Sequence, residues 1–145
     1  MLSQSYELYY YRDHPVRGVE PHQHGFYELY FFLEGNVEIT LGENAFRVHP
    51  GDIVLIPPGI CHFPSFIDPK TPYRRFVLWI HKDYYEKCFA HEQAFAYLFE
   101  RDPKGLDPVL TVDPVLFNDL QNKIFQMIRE KNEERFGKNV FLSLL

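Results

Sequence analysis

The residues of this chain best suited to chemistry lie in two short fragments, His22-Gln-His24-Gly-Phe-Tyr-Glu28 and, further along, Pro57-Pro58-Gly59-Ile-Cys-His62. Neutral imidazole nitrogens and an ionised carboxylate are good ligands for borderline divalent ions. His22, His24, Glu28 and His62 therefore form a candidate tetrad for one nickel, zinc, iron or manganese ion, and ligand type alone does not choose among the four metals.

Geometry restricts how such a tetrad can close. A straight strand rises about 3.3 Å per residue, which would set His22 and Glu28 roughly 20 Å apart, whereas each ligand must come within about 2 Å of a shared ion. The backbone must turn between His24 and Glu28, and Gly25 is the residue expected to permit it. The predicted arrangement puts His22 and His24 on one face of one strand and Glu28 at the start of the next. His62 enters after the Pro-Pro-Gly turn, giving a barrel wall lined from within.

The rest of the chain can supply that wall. Its 145 residues, 46% hydrophobic and 17% aromatic, suffice for a domain with a sizeable core, and its 14 Phe, 10 Tyr and single Trp can line a cavity as well as fill one. A net charge of -5 argues against nucleic-acid contact through this chain itself, since phosphate contacts need clustered Lys and Arg. Cys61 and Cys88 have no CxxC spacing, so neither a disulfide framework nor a zinc knuckle is indicated. No apolar run approaches the roughly 18 residues of a membrane span, and the first residues lack the basic start and apolar core of a signal peptide. The expected location is the cytoplasm.

Short strands separated by frequent turn signals dominate the first part of the chain. Residues Ser5 to Arg12 read as an edge strand or an arm, with Tyr9, Tyr10 and Tyr11 able to lie over a barrel mouth. In Tyr27 to Leu33, Glu28, Tyr30 and Phe32 alternate with Leu29, Phe31 and Leu33, so both faces are apolar. Gly35-Asn36 reads as a tight hairpin turn into Val37 to Leu41, and Gly42 to Asn44 as the turn into Ala45 to Val48. Ile53 to Ile56 is a short buried strand, Phe63 to Ile67 another, and Tyr73 to His81 a long one with Arg75, Val77 and Trp79 on one face. His14, His49, His81 and His91 carry no spacing signal and read as solvent-facing.

From Asp83 the period becomes helical, through Tyr84, Tyr85, Cys88, Phe89, Phe95, Leu98 and Phe99. Residues Arg101 to Leu110 read as a loop, Asp113-Pro114 as an N-cap and first helical residue, and Val115 to Arg135 as a helix stopped by Gly137. Its stripe of Leu116, Leu120, Ile124, Met127 and Ile128 either covers the sheet or forms a dimer seam. The expected division is a β-barrel over residues 1–82 and a helical extension over 83–145, and the apolar end at Leu145 suggests an excised domain.

The spacing His22-x-His24-x3-Glu28-x6-Gly35, followed by Gly51-x5-Pro57-x-Gly59-x2-His62, resembles the two cupin motifs. Together with the strand Tyr73 to His81 and the helical tail, the chain looks like the N-terminal effector-binding and dimerisation domain of an AraC-type transcription regulator. Two positions depart from the cupin pattern: Gly18 precedes His22 by a shorter gap than usual, and Phe66 stands where Asn is usual. The resemblance implies a mainly β, double-stranded β-helix (jelly-roll) barrel followed by α-helices, a small-molecule effector, often a sugar, and a homodimer. It implies DNA reading only through a C-terminal helix-turn-helix domain absent from this chain, and no enzymatic activity. Regulators of this kind can also keep the tetrad as a hydrogen-bonded polar cluster without metal.

For the effector, Tyr30, Arg75 and Trp79 are the candidates, because they share inward faces with the tetrad or a neighbouring strand and supply an aromatic plate and planar donors. Core packing is the competing role for Trp79, and a paired surface charge for Arg75. A small metal-dependent cupin enzyme, a dioxygenase or sugar isomerase, is the alternative function.

Overall fold

Alternating apolar residues and glycine-rich turns build eight strands in the computed structural model, which describes residues 1–14, 18–89, 91, 93 and 108–133. They are β1 (Tyr6–Asp13), β2 (Tyr27–Glu34), β3 (Val37–Leu41), β4 (Asn44–Val48), β5 (Asp52–Ile56), β6 (His62–Phe66), β7 (Tyr73–Ile80) and β8 (Val109–Thr111). A five-stranded sheet runs in the order β1-β7-β2-β5-β8 and a three-stranded sheet in the order β4-β3-β6, every pairing antiparallel.

The two sheets share one core. Tyr30, Phe32, Val54, Ile56, Tyr73 and Val77 from the larger sheet meet Val37, Ile39, Leu41 and Val48 from the smaller. Period-two alternation selects these residues, because the side chains of one strand point to opposite faces. β5 is buried along its whole length, matching its unbroken apolar run. β1 is an edge strand, with β7 as its neighbour.

Three expectations need correction here. Gly35-Asn36 is not a hairpin turn: β2 belongs to the larger sheet and β3 to the smaller, so this corner carries the chain from one sheet to the other. Gly35 has φ 140°, and a Cβ there would lie 3.2 Å from Phe32 Cζ and 3.3 Å from a Val37 methyl. The β3–β4 turn, with Leu41 opposite Asn44, is a genuine hairpin. The expected loop from Arg101 to Leu110 ends in β8, which pairs with β5 and is fastened where Thr111 Oγ1 donates to Asp52 Oδ1 at 2.8 Å. That pairing moves the first compact unit's boundary from residue 82 to Thr111, with α1 (Lys82–Cys88) inside it. His81 also has a structural role, since its ring accepts from Asp83 N–H and caps α1.

The second unit, Val112–Leu145, contains α2 (Pro114–Asn132). Asp113 caps it as expected, accepting from the backbone N–H of Val115 and Leu116, with Pro114 following it. Of the expected stripe, Ile124 is buried, Leu120, Met127 and Ile128 are half-buried, and Leu116 is exposed; Phe117 is buried instead. Helix α2 ends at Asn132, short of the expected Arg135. Phe95, Leu98, Phe99, the stop at Gly137 and the end at Leu145 lie outside the described residues.

Replacing Gly35 with alanine forces a Cβ into a left-handed backbone position against Phe32 and Val37. Urea unfolding of Gly35→Ala should show a loss of about 1–3 kcal/mol; unchanged stability would refute the account of this corner.

Candidate metal and ligand site

Backbone bonds bring the two motif fragments together before any side chain is considered. His22 N–H donates to the His62 carbonyl at 3.2 Å, His62 N–H returns to the His22 carbonyl at 2.8 Å, and Gly59 N–H reaches the His24 carbonyl at 2.8 Å. Gly59 makes the turn at φ 80°, a conformation suited to glycine. The expected strand carrying His22 and His24 is reduced to this single His22–His62 bridge. Gly25 does not act as expected either. It has no positive φ, and a Cβ there would meet nothing within 4 Å, so the turn is made in ordinary backbone conformations and held by the cross-fragment bonds.

Within this frame each imidazole is oriented by a carbonyl. Nδ1 of His22 lies 3.1 Å from Glu20 O, that of His24 3.0 Å from Phe26 O, and that of His62 2.9 Å from Ile60 O. A carbonyl oxygen only accepts, so each Nδ1 carries its proton and Nε2 is left as the chemically variable atom. Two of those atoms converge on one carboxylate oxygen: Glu28 Oε2 is 2.7 Å from His24 Nε2 and 3.6 Å from His62 Nε2. With neutral rings and an ionised carboxylate, only lone pairs would meet there. A proton or a cation must occupy the junction.

The ligand atoms of His24, Glu28 and His62 lie within 4.8 Å of one another. Imidazoles whose other nitrogen donates to a carbonyl are the form in which histidine commonly binds metal. His22 stands at the rim, exposed, outside that group of three, with its ring edge-on to His62 at 4.3 Å between centroids.

The same contacts set the charges. Burial alone would raise the Glu28 pKa, but hydrogen bonds and positive charge from His24 and His62 outweigh it and hold the acid at about 2. Burial would lower the His62 pKa, yet hydrogen bonds to Glu28 and Ile60 and the Glu28 charge raise it overall.

All seven candidate side chains line one cavity of about 360 Å³: His22, His24, Glu28, His62, Tyr30, Arg75 and Trp79. Strand register explains the grouping. Glu28 lies opposite Trp79 on one side and Ile56 on the other, while Tyr30 lies between Val77 and Val54. Tyr30 Oη and Trp79 Nε1 are buried in the lining without a hydrogen-bond partner among the described residues, and His62 Nε2 has only the long 3.6 Å approach to Glu28 Oε2.

Sequence reasoning did not select Tyr11, Phe26 and Tyr73, which also line the cavity. Phe26 stacks on His24 with centroids 3.8 Å apart and the rings nearly parallel, a role hidden by its place between two polar ligands. Tyr11 had a signal in the run of tyrosines over the mouth, but only the pairing of β1 with β7 sets it opposite Arg75. Burial keeps the phenols of Tyr11 and Tyr73 neutral by raising their pKa values.

The signs of these shifts fix a pH profile. Glu28 titrates below its ordinary 4.5, so its contribution is complete above that pH and disappears as pH falls towards about 2. His62 titrates above its ordinary 6.5, so its contribution is complete below that pH and is lost as pH rises through the raised value. Metal-free protein should be most stable between those limits, with up to about 3 kcal/mol lost on the acid side. In urea unfolding across pH, Glu28→Gln should flatten both limbs; a profile parallel to wild type would contradict the assignment.

The model of the AraC-like ligand binding domain family matches residues 5–145. No curated protein matches. Among solved structures, the plu4264 protein of Photorhabdus luminescens gives a TM-score of 0.50 at 21% identity, over 63% of this chain and 76% of that one. A cupin family protein of Methanocaldococcus jannaschii with a double-stranded β-helix fold gives 0.48 at 15% identity, over 55% and 72%. The DMSP lyase DddQ of Ruegeria pomeroyi gives 0.49 at 32% identity, over 55% of this chain and 40% of the lyase. The fold is mainly β, two antiparallel sheets around one core, with a helix towards the C-terminus. With the family model running nearly end to end over a barrel that encloses a lined cavity, the chain belongs to the AraC-like ligand binding domain family.

Proposed function

We propose that this domain is the small-molecule-sensing and dimerisation part of an AraC-type DNA-binding transcription regulator. The observation that carries the sensing role is a pair of unpartnered atoms in one cavity wall, Tyr30 Oη and Trp79 Nε1. A buried donor or acceptor left unpaired costs about 1–3 kcal/mol, and a ligand offering partners recovers that cost only when bound. Ligand binding then shifts the populations of the protein's conformations, and that shift is what a regulator transmits. DNA contact belongs to a C-terminal domain beyond this chain, consistent with the net charge of -5. No described helix is long and apolar enough to cross a membrane, and the proposed site of action is the cytoplasm.

Helix α2 is the dimerisation element in this reading, through Leu116, Leu120, Ile124, Met127 and Ile128. Leu116 is already 46% exposed.

His24, Glu28 and His62 fit a divalent ion, with His22 as a rim ligand, because they present converging Nε2 atoms and one shared carboxylate oxygen. Nickel, zinc, iron and manganese all suit this donor set. When bound, the ion supplies a Lewis-acid contact for a ligand oxygen; the residues' own part is to hold their Nδ1 protons on carbonyls and keep Nε2 directed at it. The same cluster favours the second reading, a small metal-dependent cupin enzyme such as a dioxygenase or sugar isomerase.

Thermal melting against a metabolite panel tests the sensing role. A true effector at 100 times its Kd should add about 2.7 kcal/mol, a rise of roughly 5–10 °C in Tm, and Tyr30→Phe should reduce that rise. Turnover of the same compound by the isolated domain would favour the enzyme instead. For the ion, metal analysis of chelator-free protein should show content lost in a His24→Ala/His62→Ala variant; equal content in the two proteins would exclude metal at this cluster.

A further inference from the structure

The end of the cavity away from the histidines is organised around Arg75. It stands opposite Tyr11 on β1 and Phe32 on β2, with its guanidinium carbon 4.7 Å from the Tyr11 ring centroid and 4.0 Å from that of Tyr73. Its side chain is only 15% exposed and lines the cavity. Nη1 donates to Asp13 Oδ2 at 2.6 Å, and Nε and Nη2 have no partner among the described residues. Asp13, the last residue of β1, lies outside the cavity wall with its side chain 52% exposed. A guanidinium fixed between two rings keeps its plane, and the free Nε–Nη2 edge is a two-pronged donor matched to a planar carboxylate.

The remaining wall points the same way. Glu28 is the only acid among the described lining residues, and His24 already engages it. Arg75 is the only described lining residue whose positive charge does not depend on pH. Between these poles the wall is largely apolar, with Phe26, Ile39, Ile56, Val77 and Trp79. A neutral sugar would leave the Arg75 edge without an anion and place many hydroxyls against these apolar side chains.

Deepening the sensing reading, on which it rests, the geometry points to a small carboxylic acid with a flat, mainly apolar body as the ligand. Its carboxylate takes the Nε–Nη2 edge of Arg75. Its body lies against Trp79 and Phe26, and Tyr30 Oη and Trp79 Nε1 bond any polar substituent. Asp13 shares the Arg75 charge and so weakens the site for anions, while discrimination of acid from neutral ligand rests on the Nε–Nη2 fork of Arg75.

Trp79 is the chain's single tryptophan, so its fluorescence reports the cavity directly. Titrations would use benzoate and phenylacetate beside their neutral counterparts benzamide and phenylacetamide. At least one acid should bind roughly tenfold or more tighter than its neutral partner, as expected for hydrogen bonds to a charged group. Arg75→Gln should erase the preference and Arg75→Lys, which keeps charge without the fork, should retain only part of it. Asp13→Asn should tighten acid binding by roughly twofold to fivefold. Neutral members binding as well as the acids, or an acid preference that survives Arg75→Gln in a protein of wild-type Tm, overturns the carboxylate assignment and leaves sensing intact. Silence of Trp79 towards every probe, acid and neutral, counts against both.

Discussion

One carboxylate oxygen sets the terms for this site. Glu28 Oε2 is approached by His24 Nε2 at 2.7 Å and by His62 Nε2 at 3.6 Å, while both rings hold their Nδ1 protons on backbone carbonyls. Three lone-pair centres cannot share that space without a positive species among them. In the ionised protein a proton supplies it, which is why Glu28 is so strong an acid and His62 so reluctant to lose its proton. A divalent ion would supply it equally well. The cluster is thus a structural polar junction whose donor atoms would also suit the proposed metal.

What surrounds the junction follows from strand register. β2 carries Glu28, Tyr30 and Phe32 towards the core, β7 answers with Trp79, Val77 and Arg75, and β1 adds Tyr11 at the far end. The cavity is consequently graded: imidazoles and Glu28 at one pole, the ring-clamped Arg75 at the other, apolar side chains between. This gradation suits the proposed ligand with an acidic end.

Much of this was legible in the sequence, for identifiable reasons. Period-two alternation in Tyr27 to Leu33 and Tyr73 to His81 gave the inward faces correctly, because a strand's side chains have no other choice. The spacing of His22, His24, Glu28 and His62 named the polar end of the cavity, and Asp113-Pro114 marked the start of α2. Other features depended on contacts that no local pattern encodes. Gly35-Asn36 suits a hairpin and a sheet-to-sheet corner alike, and only the partners of β3 decide between them. β8 exists because β5 offers an edge, and the Arg75–Asp13 bridge joins residues 62 positions apart. The turn expected from Gly25 is held instead by backbone bonds from His62 and Gly59.

The most direct test of the central claim is long-range proton–nitrogen NMR of the histidine side chains, read before and after zinc is added to chelated protein. The account requires protonated Nδ1 on both His24 and His62 throughout, with Nε2 protonated at the Glu28 junction before zinc and losing that proton when zinc binds. Rings found in the opposite tautomer, with Nδ1 bare and Nε2 protonated in the neutral form, would contradict it.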